Sequence, residues 1–157
     1  MKKVLFTLLL FAFIGLWANA QDYKTSLGLR ASVPYGLTIK HFVSKYNAIE
    51  GILASGWQGF EATALIENER WTGKYPGFNW FWGLGAHVGF WNAGDNPYLK
   101  NSYNGSAVIG VDGILGLEYT FDEIPLNLSV DVLPSINLIG SSGWGGSIGA
   151  LSIRYVF

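Results

Sequence analysis

The sequence predicts an all-β fold: an eight-stranded, antiparallel, up-and-down transmembrane β-barrel that follows a cleaved signal peptide. Three observations predict it. After residue 20 the apolar residues recur with a period of two rather than 3.6, the period of strands. The alternation is aromatic and apolar on one face and carries the charges on the other. The chain also ends on an alternating segment, Leu151–Phe157, that closes on an aromatic residue.

The first twenty residues are set apart. Lys2 and Lys3 form a short positive segment, Val4 to Trp17 is an apolar core, and Ala18-Asn19-Ala20 is a small-residue cleavage site. That core is shorter than the about 20 apolar residues a spanning helix needs. Residues 1–20 are therefore expected to be removed on export, leaving one domain over 21–157. Two of the 10 basic residues lie in the leader, so the mature chain keeps 8 against 11 acidic ones, a net charge of −3. No basic surplus remains to draw nucleic acid by counterion release. There is no cysteine. Disulfides, thiolate metal sites, a cysteine nucleophile and a lipoprotein anchor are thereby excluded. Charged residues make up 13% of the chain, against about 25% in a soluble domain. The apolar remainder needs a cover that is not water.

The strands follow in order. Leu27, Leu29, Ala31 and Val33 alternate with Gly28, Arg30 and Ser32, and Pro34-Tyr35-Gly36 makes a turn. Leu37, Ile39 and Val43 belong to a second strand, which Ser44 to Asn47 ends. Strands three and four are placed near 48–56 and 58–67, with a loop over 68–77. In strand five, Phe78, Trp80, Trp82, Leu84, Ala86, Val88 and Phe90 share one face, and Phe81 interrupts a small and polar opposite face. A long polar loop covers 91–105. Strand six runs from Ala107 to Phe121 and strand seven over Leu126–Val132. A loop covers 135–146, Gly/Ser-rich from Gly140 to Gly146, and strand eight is Leu151–Phe157. An even strand number puts both termini on one side. The loops after strands five and seven are then expected outside and the short turns inside. The short Pro34–Gly36 link and the long 68–77 link depart from that rule.

Arg30, Lys40, Glu50, Glu61, Asp112, Glu118, Asp131 and Arg154 fall on the face opposite the aromatic one. A soluble sandwich or lipocalin-like barrel would turn apolar side chains inward and charges outward. The reverse arrangement needs lipid outside and a closed sheet, because backbone groups in lipid must be paired internally. Trp57, Trp71, Trp80, Trp82, Trp91 and Trp144 lie near strand ends or loops, where rings suit aromatic girdles at the lipid–water boundary.

The segment Leu151-Ser152-Ile153-Arg154-Tyr155-Val156-Phe157 resembles the C-terminal signal of outer-membrane β-barrels. Over its mature length the chain resembles small eight-stranded barrels of the OmpA/OmpX type. Gly110 to Tyr119 looks like part of the "outer membrane protein beta-barrel" domain group. The resemblance implies the bacterial outer membrane as location and lipid and lipopolysaccharide as surroundings. It also implies recognition of Leu151, Ile153, Tyr155 and Phe157 by the barrel assembly machinery. It leaves the activity open, because such barrels include adhesins, enzymes and structural proteins.

Eight strands leave a lumen just wide enough for side chains. Arg30, Glu61, Asp112, Glu118, Asp131 and Arg154 are expected to form a polar cluster that fills it, since buried charges need partners. A non-enzymatic structural or surface-interaction barrel, monomeric and without cofactor, is the leading function. A narrow pore through the same charges is one alternative. A lipid-modifying enzyme resembling lipid A deacylases is another, with His41 or His87 as base. His41-Phe42-Val43-Ser44 is suggestive, but the spacing puts His41 and Ser44 on opposite faces. No metal-spaced cluster, phosphate loop or nucleotide fingerprint is present.

Overall fold

The structure, a computed structural model, describes residues 24–56, 59–73, 75–91, 106–140 and 143–157. The leader, Trp57 and the 92–105 part of the predicted long loop lie outside them. Eight strands follow in chain order: β1 (Thr25–Ala31), β2 (Tyr35–Phe42), β3 (Asn47–Gly56), β4 (Gly59–Trp71), β5 (Phe78–Trp91), β6 (Ser106–Thr120), β7 (Leu126–Ile139) and β8 (Gly143–Val156). Each pairs antiparallel with the next, and β8 returns to β1, so the barrel is closed. The seam is held at its base by Thr25 N–H donating to Phe157 O at 3.1 Å and Phe157 N–H donating to Thr25 O at 2.9 Å. Closure leaves no edge strand with unpaired backbone groups.

The barrel has two ends. The terminal end carries the start of β1, the end of β8, the turns 43–46 and 121–125 and the junction of β4 with β5; the far end carries the turn 32–34. Side chains alternate about this wall except where the β6–β7 and β7–β8 registers shift. On β6 the odd positions from Ala107 to Tyr119 face out, and the even positions from Val108 to Thr120 face in. The aromatic face of β5 is outward and the charged faces of β1, β6, β7 and β8 are inward.

Several boundaries differ from the sequence expectation. β4 runs on to Trp71, so the link to β5 shrinks from 68–77 to 72–77. β7 runs on to Ile139 and β8 starts at Gly143, so the expected loop over 135–146 is largely strand. Pro134 is the cause of that misreading, because a proline inside a strand pattern signals its end. The wall accommodates it where the β7–β8 register shifts, between Asp131 and Leu133. β1 and β2 have 7 and 8 residues, short of the about 9–11 a tilted spanning strand needs. The wall is lowest there, and Val33 and Tyr35 stand exposed at its rim.

Glycines allow the wall to close tightly. A Cβ on Gly28, which faces inward, would come within 1.9 Å of the Ile153 carbonyl oxygen across the β1–β8 seam. At the far end, Cβ atoms on Gly59 and Gly89 would each fall 2.1 Å from the Trp91 ring. The absent side chains make the space in which that indole lies.

Candidate functional site

The lumen gathers the charged residues that the sequence pattern turns inward. Near the terminal end, Lys40 on β2 is the hub. Its Nζ lies 2.8 Å from Glu118, 3.1 Å from Glu67 and 3.1 Å from Glu69. The Phe81 ring centroid lies 4.4 Å from the same nitrogen. Arg154 on β8 is the second cation. It donates to Glu50 at 2.6 Å, to Ser129 at 2.9 Å and to Asn127 at 3.2 Å. Thr38 donates to the same Glu50 carboxylate. Asn127 Nδ2 donates to Glu118 and Thr120, and Asn79 Nδ2 donates to Glu69 at 2.8 Å. Residues from all strands but β1 thus share one lattice. Lys40, Glu50, Glu67, Glu118, Asn127 and Arg154 are at most 1% exposed. Ions so far from water persist only with partners and hydrogen bonds.

Above this lattice the lumen changes character. Ile52, Leu65, Phe81, Ile114 and Leu133 form a buried apolar belt inside the barrel. The sequence reading made the lumen polar throughout, and the belt corrects it. Phe81, the interruption on strand five, is a member of that belt and has no exposed surface. At the belt's edge Arg30 makes a two-pronged pair with Asp131, Nη1 donating to Oδ2 at 2.8 Å and Nη2 to Oδ1 at 2.5 Å. Forked pairs of this kind fix geometry as well as charge.

A third tier lies toward the far end. His87 Nδ1 sits 2.8 Å from Asp112 Oδ1, and its Nε2 sits 2.9 Å from Asn137 Oδ1. Glu61, half-buried, faces inward one step above His87. Trp91 turns inward, 6% exposed, over Gly59 and Gly89. That corrects its assignment to an interfacial ring. Trp71, Trp80 and Trp82 do face out; the side chain of Trp144 is outside the described set.

The structure therefore distributes the six predicted lumen residues over three groups. Arg154 and Glu118 are joined through Asn127, Arg30 and Asp131 form a separate pair, and Asp112 and Glu61 belong to the His87 tier. The sequence reading left Glu67 and Glu69 unassigned and kept Lys40 and Glu50 out of the cluster. Glu69 fell in the expected 68–77 loop. Once β4 is extended by its period of two, Glu67 and Glu69 follow Leu65 inward.

His41 is exposed on the outer wall, its Nδ1 2.8 Å from Thr25 Oγ1. Ser44 Oγ accepts from the Asn47 backbone and side chain instead. His41 and Ser44 are therefore not brought together. Both ring nitrogens of His87 are engaged by Asp112 and Asn137. Among the described residues no group of three or more His, Asp or Glu side chains has the arrangement of a metal site.

The outer wall is the counterpart of the lumen. Leu29, Ile66, Leu84 and Leu151 are 59–69% exposed, and each of the eight strands contributes at least one exposed large apolar side chain. Exposed apolar surface of this extent marks contact with something other than water.

No protein-family model and no curated protein sequence matches the chain. Among solved structures, the N-terminal β-barrel domain of Pseudomonas aeruginosa OprF is similar, with a TM-score of 0.64 over 89% of this chain and 100% of that one. Sequence identity is 12%, so the likeness is one of fold. What the chain shares with that domain is its all-β barrel architecture.

Proposed function

We propose that this chain is a non-enzymatic β-barrel of the bacterial outer membrane, exported by cleavage of residues 1–20. Its role is structural or one of surface interaction through its external loops. The observation that carries this reading is the inversion of the wall: apolar residues outside on all eight strands, and paired charges inside. Lipid is the environment that such an outer face needs. The likeness to the OprF barrel domain supports the closed-barrel fold that this placement needs. The engaged ring nitrogens of His87 and the separation of His41 from Ser44 favour a barrel without catalysis. Leu151, Ile153, Tyr155 and Phe157 present the alternating aromatic end that the assembly machinery would read. The chain would sit as a monomer among phospholipid and lipopolysaccharide.

The lumen is sealed in this reading. Ions would have to pass the Lys40 lattice, the apolar belt and the Trp91 ring in series. Cell fractionation with a heat-modifiability gel tests the placement. The expected result is an outer-membrane protein whose mobility changes on boiling, and a soluble, unshifted band would overturn it. Planar bilayers test the seal. No conductance steps are expected from the folded chain; regular steps would instead establish the narrow pore.

A further inference from the structure

We propose that the outer wall at the terminal end carries a seat for one phospholipid with an anionic head group. The inference rests on the membrane placement proposed above. From the terminal end upward, the outward file of β4 reads Arg70, Asn68, Ile66, Ala64. The chemistry runs from cation to amide to aliphatic to small. A phospholipid runs in the same order from phosphate to ester to acyl chain.

Three features build the seat. The first is the rim. Arg70 Cζ lies 5.2 Å and Lys45 Nζ 5.3 Å from the centroid of the Tyr46 ring. One aromatic ring therefore holds two exposed cations in place. Among the described residues neither cation has a carboxylate partner. The second is a groove of about 390 Å³ directly above the rim. Ile66, Leu84 and Trp82 give it an apolar wall, Asn47 and Asn68 give it a polar foot, and Glu67 also lines it, its carboxylate turned inward to Lys40. Asn68 Nδ2 donates to Asn47 Oδ1 at 2.7 Å, which fixes the foot. The third lies beyond Ile66. Gly51, Ala64 and Ala86 are directly registered neighbours on β3, β4 and β5. None carries more than a methyl, so an acyl chain there can lie close to the backbone, as small residues allow inside membranes.

The charge pattern selects a lipid over a second copy of this chain. A two-fold contact would use the same patch twice. It would bring two Arg70 and two Lys45 side chains to a single rim without acidic partners.

Native mass spectrometry of the folded mature chain in detergent tests the seat, with phosphatidylglycerol and a diacylglycerol of the same acyl chains as probes. One phosphatidylglycerol is expected to stay bound under activation that strips the diacylglycerol. Arg70→Gln with Lys45→Gln should lower its retention about thirtyfold, the loss of two basic contacts to an anionic lipid. Ala64→Leu, which fills the small row and leaves the rim intact, should lower it as well. Equal retention by the variants, equal retention of diacylglycerol, or a protein or second copy held through Arg70 would each overturn the seat. The two readings fail separately. A chain that shows no heat-modifiable barrel contradicts the membrane placement. A heat-modifiable barrel whose lipid retention ignores Arg70 and Lys45 contradicts the seat alone.

Discussion

Lys40→Met is expected to destabilise the barrel by about 3–5 kcal/mol, the usual cost of removing one partner from a buried ion cluster. The substitution keeps much of the side-chain volume, so packing against Phe81 is largely retained. What it removes is the cation that Glu67, Glu69 and Glu118 share within 3.1 Å. Three buried carboxyls then lose that shared cation, and the neutral amides of Asn127 and Asn79 beside Glu118 and Glu69 supply no charge in its place. Urea unfolding of the chain in phospholipid vesicles, followed by tryptophan emission, reads the effect as a lower midpoint. Adding Glu118→Gln to Lys40→Met should recover part of the loss, because a neutral amide costs less to bury beside Asn127 than an unpaired carboxylate. An unchanged midpoint for Lys40→Met would show that the lattice is not what holds the lumen together.

Leu115→Arg is the second large effect and acts from the other side of the same wall. Leu115 lies outward on β6 and is 54% exposed. On a soluble surface such a change stays within about ±0.5 kcal/mol. On the lipid face of a barrel an arginine near the midplane costs about 2–4 kcal/mol, falling toward the interfaces. The same vesicle titration should show that larger loss for Leu115→Arg and little change for Glu123→Arg in the turn at the terminal end. Equal and negligible effects at both positions would mean that the apolar face meets water. The two substitutions together bracket the wall, one removing a charge from inside and the other adding a charge outside.

Much of this wall is legible in the sequence, and the exceptions have local causes. β5, β6 and the end of β8 from Leu151 alternate cleanly because nearly every outward position there is apolar and most inward ones are small or polar. Phe81 breaks that rule because the lumen needs an apolar belt, and a single large ring among glycines gives no sign of which neighbours it will meet. The end of β4 was hidden because Asn68 and Arg70 face outward at the rim while Glu67 and Glu69 face inward. With both faces polar, the period of two vanishes. The second half of β7 was hidden by Pro134. The lumen cluster was legible as a set of inward charges but not as partners. Pairing depends on the stagger between strands distant in sequence, and Lys40 reaches Glu118 across 78 positions. Trp91 shows the same limit: its position at a strand end suits an interfacial ring, and only Gly59 and Gly89 reveal that the ring folds inward.

The central claim is that the outward face of this barrel is immersed in lipid while its ends meet water. The absence of native cysteine makes a single-cysteine scan along β6 clean. Nitroxide labels at Ala107, Ile109, Val111, Leu115, Leu117 and Tyr119 in vesicles report access to oxygen, which concentrates in lipid, and to a water-soluble nickel chelate. Oxygen access is predicted to peak at Val111 and Leu115 and to fall toward Ala107 and Tyr119, with nickel access the mirror image. Nickel access that is high and uniform along all six positions would contradict the account.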